Sequence, residues 1–209
     1  MTRIAIVGAG NVGSALARLW SEAGHEISVA VREGSSPKSI PGVRTGPAKE
    51  IAGKAEIVLL AVPWPACKDA LASCGDLDGK IIVDCTNPVL HTLEGLEFGG
   101  TDSAAEHLQR LAARARLVKA FNTVGAPLLG NATFGGLQAD GYFCGDDAAA
   151  KSAVAPLIAA AGLRPFDAGP LRNARYLEAM AMLWIDLAVT RGRGPTFGFR
   201  TLERTTTKP

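Results

Sequence analysis

The feature that most constrains this chain lies in its first two dozen residues. An apolar run over residues 3–7 ends in Gly8-Ala9-Gly10-Asn11-Val12-Gly13, and residues 11–23 then place Val12, Leu16, Leu19 and Trp20 on one helical face. Alone, a G-x-G-x-x-G pattern carries little weight; between a strand and an amphipathic helix it has a mechanical reading. The first glycine allows a tight turn, the second lets a diphosphate approach the backbone, and the third lets helix and strand pack closely. Unpaired N–H groups at the helix start then offer partial positive charge to the phosphates. The expectation is a strand–helix–strand unit that binds a dinucleotide through Gly8, Ala9, Gly10, Asn11, Val12 and Gly13.

Hydrophobic patterning extends that unit along the chain. Further strands are expected over residues 26–31, 56–62, 80–84, 116–121, around Tyr142 and Phe143, and over 164–167 and 196–202. Helices are expected over 48–52, 65–73, 102–113 (opened by a Ser103–Glu106 capping box), 146–161 and, as the longest, 171–190. Residues 34–47 and 86–100 read as loops, and 205–209 as a frayed tail. Strands apolar on both faces, alternating with helices, predict a doubly wound, mostly parallel α/β sheet of the Rossmann type. We expect one domain over residues 1–209: a dinucleotide-binding core over 1–123, then extra strands and a C-terminal helix over 124–209 covering the crevice.

Composition narrows the partners. A net charge of +2 and an aromatic content of 6% argue against a nucleic-acid surface. The longest apolar stretches are broken by Pro63 and Pro65 or by Asp186, so no membrane span is expected. The first residues enter a strand at once, which leaves no room for a signal peptide and points to the cytoplasm. Cys67, Cys74, Cys85 and Cys144 show no metal-ligand spacing, and no metal site is expected. Cys67 and Cys74 are separated by about 10 Å along a helix, too far to bond, so free and mostly buried thiols are expected.

Cofactor choice turns on the end of the second strand. NAD-specific domains place an acidic residue there for the ribose 2′-hydroxyl, whereas this strand ends Val29-Ala30-Val31-Arg32, with Glu33 only after it. Arg32 suits a 2′-phosphate, assisted by Ser35, Ser36 and Lys38, so the expected cofactor is NADP(H). Beyond the carboxyl ends of later strands come Val62-Pro63-Trp64, Thr86-Asn87-Pro88 and Asn122-Thr123-Val124, which combine rigidity with a few amides and hydroxyls and suit a nicotinamide held in one pose. No proton donor stands out. His25 and His107 read as structural, His91 is a weak candidate, and Tyr142, Tyr176 and Lys119 complete the inventory. No Tyr-x-x-x-Lys or histidine–carboxylate arrangement is evident, and no catalytic residue is assigned. An acceptor that spreads charge over its own conjugated rings needs no such acid. Three readings follow: an NADPH-linked reductase of a flavin-like acceptor, an imine or carbonyl reductase, and a non-catalytic NADP sensor.

These residues resemble the NADPH-dependent reductases of the deazaflavin coenzyme F-420. The resemblance covers nearly the whole chain. It rests on residues 8–13, Val62-Pro63-Trp64, Cys144-Gly145-Asp146-Asp147, and Gly162-Leu163-Arg164-Pro165-Phe166-Asp167-Ala168-Gly169-Pro170-Leu171 with Arg175 and Glu178. The cytosolic domain of the six-transmembrane metalloreductases is similar around Lys119-Ala120-Phe121-Asn122. The resemblance implies NADPH in the crevice, with F-420 or a flavin as co-substrate stacked on the nicotinamide under the C-terminal helix, and a homodimer. On this chain the nicotinamide wall is Ala61, Val62, Pro63, Asn87 and Pro88, and the acceptor side is Trp64, Asn122, Thr123 and Val124. Asp167 is expected to brace a turn. One departure is that archaeal members carry a histidine-containing segment after the fifth strand, where this chain has Phe121-Asn122-Thr123-Val124.

Overall fold

The computed structural model describes residues 1–31 and 40–204. Its first six strands are β1 (Arg3–Val7), β2 (Glu26–Ala30), β3 (Arg44–Gly46), β4 (Ile57–Leu60), β5 (Ile81–Asp84) and β6 (Arg116–Ala120). They lie in the order β3-β2-β1-β4-β5-β6 and every pairing among them is parallel. That order reverses direction beside β1, which creates the crevice where ligands lie in such sheets. Two more strands extend the edge: β9 (Asp140–Gly145) runs antiparallel to β6, and β10 (Arg164–Asp167) runs parallel to β9. A small hairpin, β7 (Thr133–Phe134) with β8 (Leu137–Gln138), turns on Gly135 and Gly136, both at positive φ.

Alternation along the strands sorts the helices onto two faces. Ile4, Ile6, Ile57, Leu59 and Val83 pack with α1 (Asn11–Glu22) and α5 (Ala148–Ala160). Ala5, Val7, Val58, Leu60 and Ile82 face α2 (Ala48–Lys54), α3 (Cys67–Ser73), α4 (Ala104–Leu111) and α6 (Ala174–Ile185). Trp20 is fully buried, and its indole Nε1 donates to the Leu157 carbonyl at 2.9 Å, tying α1 to α5. The doubly wound, mostly parallel sheet is therefore as expected.

Several details differ from the sequence reading. Residues 44–46, within a stretch read as loop, form β3, too short and too exposed to show alternation. Residues 171–190 are not one α-helix: a 3-10 turn (Leu171–Asn173) leads into α6, and a π turn (Asp186–Thr190) follows it. Residues 196–202 are irregular rather than a strand, held to β9 by single bonds such as Asp140 N–H to the Phe199 carbonyl at 2.8 Å. Ser103 does cap α4, accepting from Glu106 N–H at 3.2 Å. The return arm differs from a capping box, because the Glu106 carboxylate accepts from the Ser103 hydroxyl at 2.7 Å. All four cysteines are free, with Cys67, Cys74 and Cys144 buried. Burial pushes the Cys67 and Cys144 thiols up to about 12, away from reactivity.

Candidate functional site

The three motif glycines have different reasons to be glycine. At Gly8, φ is +111°, and a Cβ would sit 2.3 Å from the Ala61 carbonyl oxygen, so β1 and β4 can approach only without a side chain. At Gly13 a Cβ would lie 1.9 Å from the Gly8 carbonyl oxygen, which fixes the contact of α1 with the turn. Gly10 is unlike both. Its φ of −73° suits any residue, and a Cβ there would meet no atom of the described residues within 4 Å. Packing among the described residues and backbone strain leave this glycine unexplained; in turns of this pattern a glycine at this position lets a diphosphate approach the backbone.

The start of α1 is equally bare. Gly10 provides no side-chain cap, the first turn holds no acidic residue, and Ser14 N–H is the first to bond back, to the Gly10 carbonyl at 2.9 Å. Earlier N–H groups in a helix have no intrahelical partner. Here they belong to Asn11, Val12 and Gly13. The Ser14 hydroxyl donates to the Ala9 carbonyl at 2.9 Å and steadies the turn from below.

Because β1, β4, β5 and β6 are parallel, the expected site segments emerge at one edge of the sheet. Ala61 N–H donates to the Val7 carbonyl at 2.8 Å, setting Ala61, Val62 and Pro63 beside the glycine turn. Asn87 Nδ2 donates to the Asn122 carbonyl at 2.9 Å, and Asn122 Nδ2 donates to Asn87 Oδ1 at 3.1 Å and to the Leu177 carbonyl at 3.0 Å. These bonds join the ends of β5 and β6 to α6. Pro88 and Thr123 are buried, and Val124 is half-buried. Phe121 turns the chain out of β6 at φ +63°, an uncommon conformation for an aromatic residue, and its ring meets Trp20 edge-on at 5.7 Å. Trp64 has a structural account of its own: Nε1 donates to Glu97 Oε2 at 2.8 Å, and the ring packs edge-on against Phe98. Arg32, Ser35, Ser36 and Lys38 lie outside the described residues.

Lys119 does not serve as the proton donor considered from sequence. Its ammonium is fully buried, donating to Asp84 Oδ2 (2.9 Å), Glu178 Oε1 (2.9 Å) and the Thr86 carbonyl (2.5 Å). Burial alone lowers a lysine pKa, but the adjacent Asp84 and Glu178 carboxylates overcome this and hold it well above the ordinary value. Glu178 also accepts from Ala104 N–H (3.0 Å) and Ala105 N–H (3.1 Å) at the start of α4, where a helix favours the extra negative charge. This network joins β5, β6, α4 and α6 beneath the crevice. Its signal in the sequence was a charge inside each of two aliphatic strands, Asp84 and Lys119.

A histidine–carboxylate pair does exist, contrary to expectation. His107 Nε2 lies 2.8 Å from Asp102 Oδ2, and the imidazole stacks on Phe98 with centroids 4.1 Å apart. Arg110 also holds Asp102, at 3.2 Å, so the pair braces the entry to α4. His25 pKa is lowered by burial and by the nearby amino terminus. Asp167 braces a turn as expected, accepting from Gly169 N–H at 2.8 Å and from Lys151 Nζ. Clefts of about 600 and 410 Å³ lie at the opposite, amino edge of the sheet. They lack a glycine-lined helix start, so volume is a poor guide here.

Residues 3–88 match the family model described as NADP oxidoreductase, coenzyme F420-dependent. A crystal structure of a candidate F420-dependent NADP reductase from Arthrobacter sp. FB24 is 30% identical, covers 97% of this chain and 100% of its own, and superposes with a TM-score of 0.86. The chain belongs to the F420-dependent NADP oxidoreductase family. Among curated relatives, the F420-dependent NADP reductase of Methanothermobacter marburgensis is 29% identical, covering 90% of this chain and 92% of its own. The rat metalloreductase STEAP3 is 30% identical over 86% of this chain, which spans only 36% of that longer protein. No helix among the described residues is long and apolar enough to cross a membrane.

Proposed function

We propose that this chain binds NADPH along the carboxyl edge of the sheet and passes its hydride to a flat, conjugated acceptor of the deazaflavin (F-420) or flavin type. The diphosphate sits on the bare start of α1 at Ala9, Gly10, Asn11 and Val12, and the 2′-phosphate at Arg32 with Ser35, Ser36 and Lys38. Ala61, Val62, Pro63, Asn87 and Pro88 wall the nicotinamide; Trp64, Asn122, Thr123 and Val124 border the acceptor. Bound NADPH supplies two electrons and one proton as hydride from its C4, leaving NADP⁺. The protein's part is orientation: the Asn87–Asn122 bonds fix two walls relative to α6, which is what transfer between closely aligned carbons requires.

The observation that carries this reading is Gly10, a glycine that packing among the described residues does not require at the mouth of an uncapped helix. The wall residues, by type, bring amides and a hydroxyl but no ionisable group, which suits an acceptor that holds its own charge. Residues 1–209 act as one domain in this account, working as a homodimer in the cytoplasm. The test is NADPH oxidation against a panel. Turnover with deazaflavin or FMN and not with ketones or imines supports the proposal. Turnover with ketones or imines alone overturns it in favour of a carbonyl or imine reductase, and tight NADPH binding with no turnover favours a sensor.

A further inference from the structure

Every N–H of the Lys119 ammonium goes to a residue beside the crevice. The Thr86 carbonyl accepts at 2.5 Å, Asp84 Oδ2 at 2.9 Å and Glu178 Oε1 at 2.9 Å. Asp84 Oδ1 in turn accepts from Thr86 N–H at 2.8 Å. Thr86 is thereby held at both its N–H and its carbonyl, which fixes the peptide planes leading into Asn87. A second set of ties lies one residue along: Asn122 Nδ2 donates to Asn87 Oδ1 and to the Leu177 carbonyl. The loop after β5 is therefore held through Thr86 and Asn87, and α6 through Leu177 and Glu178, each at two consecutive residues. A single tie would leave a pivot, whereas two adjacent ones set an angle. Both start from β6 and the residues just beyond it, and between Lys119 and Asn122 the chain passes Phe121 at φ +63°. Such a backbone at a bulky residue persists only where its surroundings over-determine it.

We propose that Lys119 is a positioning residue for hydride transfer: from beneath the crevice, its ammonium sets the angle between the Asn87 wall and α6, and with it the pose of the nicotinamide. The inference rests on the proposed reading of the crevice and adds a residue that touches neither ring. Stability alone is a poor reason for the network, because well-packed apolar side chains in place of a buried ion cluster are often as stable or more so. Charge-assisted hydrogen bonds add what apolar packing lacks, a fixed direction at each contact. Direction matters here because a misplacement of about 1 Å between reacting groups slows a reaction on the order of 100-fold.

The experiment uses two variants. Lys119→Met removes the cation and leaves the buried Asp84 and Glu178 carboxylates without it. Lys119→Met/Asp84→Asn keeps the cluster at its wild-type net charge, because one cation and one carboxylate go together, and keeps an acceptor for Thr86 N–H. What it lacks is the ammonium's hold on Thr86 and Glu178. The double variant is expected to melt nearer wild type than the single one. Both should slow single-turnover hydride transfer from bound NADPH to deazaflavin by about tenfold or more, measured where each is folded. Both should bind 2′-phospho-ADP-ribose, which carries the phosphates of NADP without its nicotinamide, within about twofold of wild type. Transfer near the wild-type rate in the double variant, a double variant as unstable as Lys119→Met, or a matching loss of 2′-phospho-ADP-ribose affinity overturns the inference and leaves the proposed function standing. A wild type that binds no 2′-phospho-ADP-ribose, or that reduces neither deazaflavin nor FMN, removes both.

Discussion

Gly10→Ala separates a ligand site from a structural turn. The added methyl meets no atom of the described residues within 4 Å, and the backbone at φ −73°, ψ −167° accepts alanine without strain. As a helix N-cap, alanine is worse than glycine by a modest amount, partly offset by the stiffer unfolded chain, so the net change in stability stays within about 1 kcal/mol. In a chain of 209 residues that is a Tm shift of roughly 2–4 °C at most. On the proposed reading the methyl occupies the space that the diphosphate needs. Losing one charge-assisted hydrogen bond from the α1 N–H groups costs about 1.5–3 kcal/mol, which weakens NADPH binding roughly 10- to 150-fold. Gly13→Ala is the control with the opposite signature. Its Cβ would lie 1.9 Å from the Gly8 carbonyl oxygen, so β1 and α1 must move apart at a cost of about 1–3 kcal/mol or more. Calorimetric titration with NADP⁺, paired with thermal melts of both variants, reads the two quantities separately. A Gly10→Ala protein that binds NADP⁺ as wild type does, or that melts as early as Gly13→Ala, would refute the reasoning.

Three further outcomes follow from the same structure. Arg32→Ala should weaken NADPH by one to two decades, from about 1.5–3 kcal/mol, and leave NADH nearly unchanged; equal losses in titrations of both would remove the 2′-phosphate assignment. Lys119→Met leaves the buried Asp84 and Glu178 carboxylates without their cation and should cost about 3–5 kcal/mol in denaturant unfolding, so a loss below 1 kcal/mol would contradict the network described. Glu106 is held below the ordinary carboxylate value first by the Arg175 hydrogen bonds, at 2.6 and 2.8 Å. A depressed carboxylate stabilises the fold fully above its unfolded pKa and loses that contribution as pH falls through the folded one. The Tm gap between wild type and Glu106→Gln should therefore be present at pH 7 and close on acidification below the usual carboxylate range. A gap that does not change with pH would assign it to packing.

The core was legible because local patterns and sheet chemistry agree there. Residues 3–7, 80–84 and 116–121 are aliphatic on both faces, which only a sheet covered on both sides accommodates. Their parallel order then follows from the intervening helices. Beyond β6 the signals thin out. Whether β9 runs parallel or antiparallel to β6 is invisible in Asp140–Gly145, where every residue is buried in either sense. A last strand was expected over residues 196–202, where Phe197, Phe199 and Thr201 recur at every second position. Instead the Phe197 ring stacks on Trp184, and the Thr201 backbone N–H donates to Asp140 Oδ2 at 2.7 Å, so one ring and one backbone bond anchor an irregular segment. Gly135-Gly136 is a hairpin signal, but its flanking strands, two residues each, are too short to show alternation. The segments proposed as site walls stand out in the sequence, whereas the Asn87–Asn122 pairing and the Lys119 network depend on residues 35 to 59 apart that only the fold brings together.

The most direct measurement follows the hydrogen itself. In a single turnover with NADPH carrying deuterium at both C4 positions and an oxidised deazaflavin as acceptor, deuterium should appear on the acceptor's ring carbon C5, with a primary isotope effect on the transfer step. Retention of both deuterons in the nicotinamide, or acceptor reduction that draws its C5 hydrogen from solvent, would contradict an edge built to hold the two rings face to face.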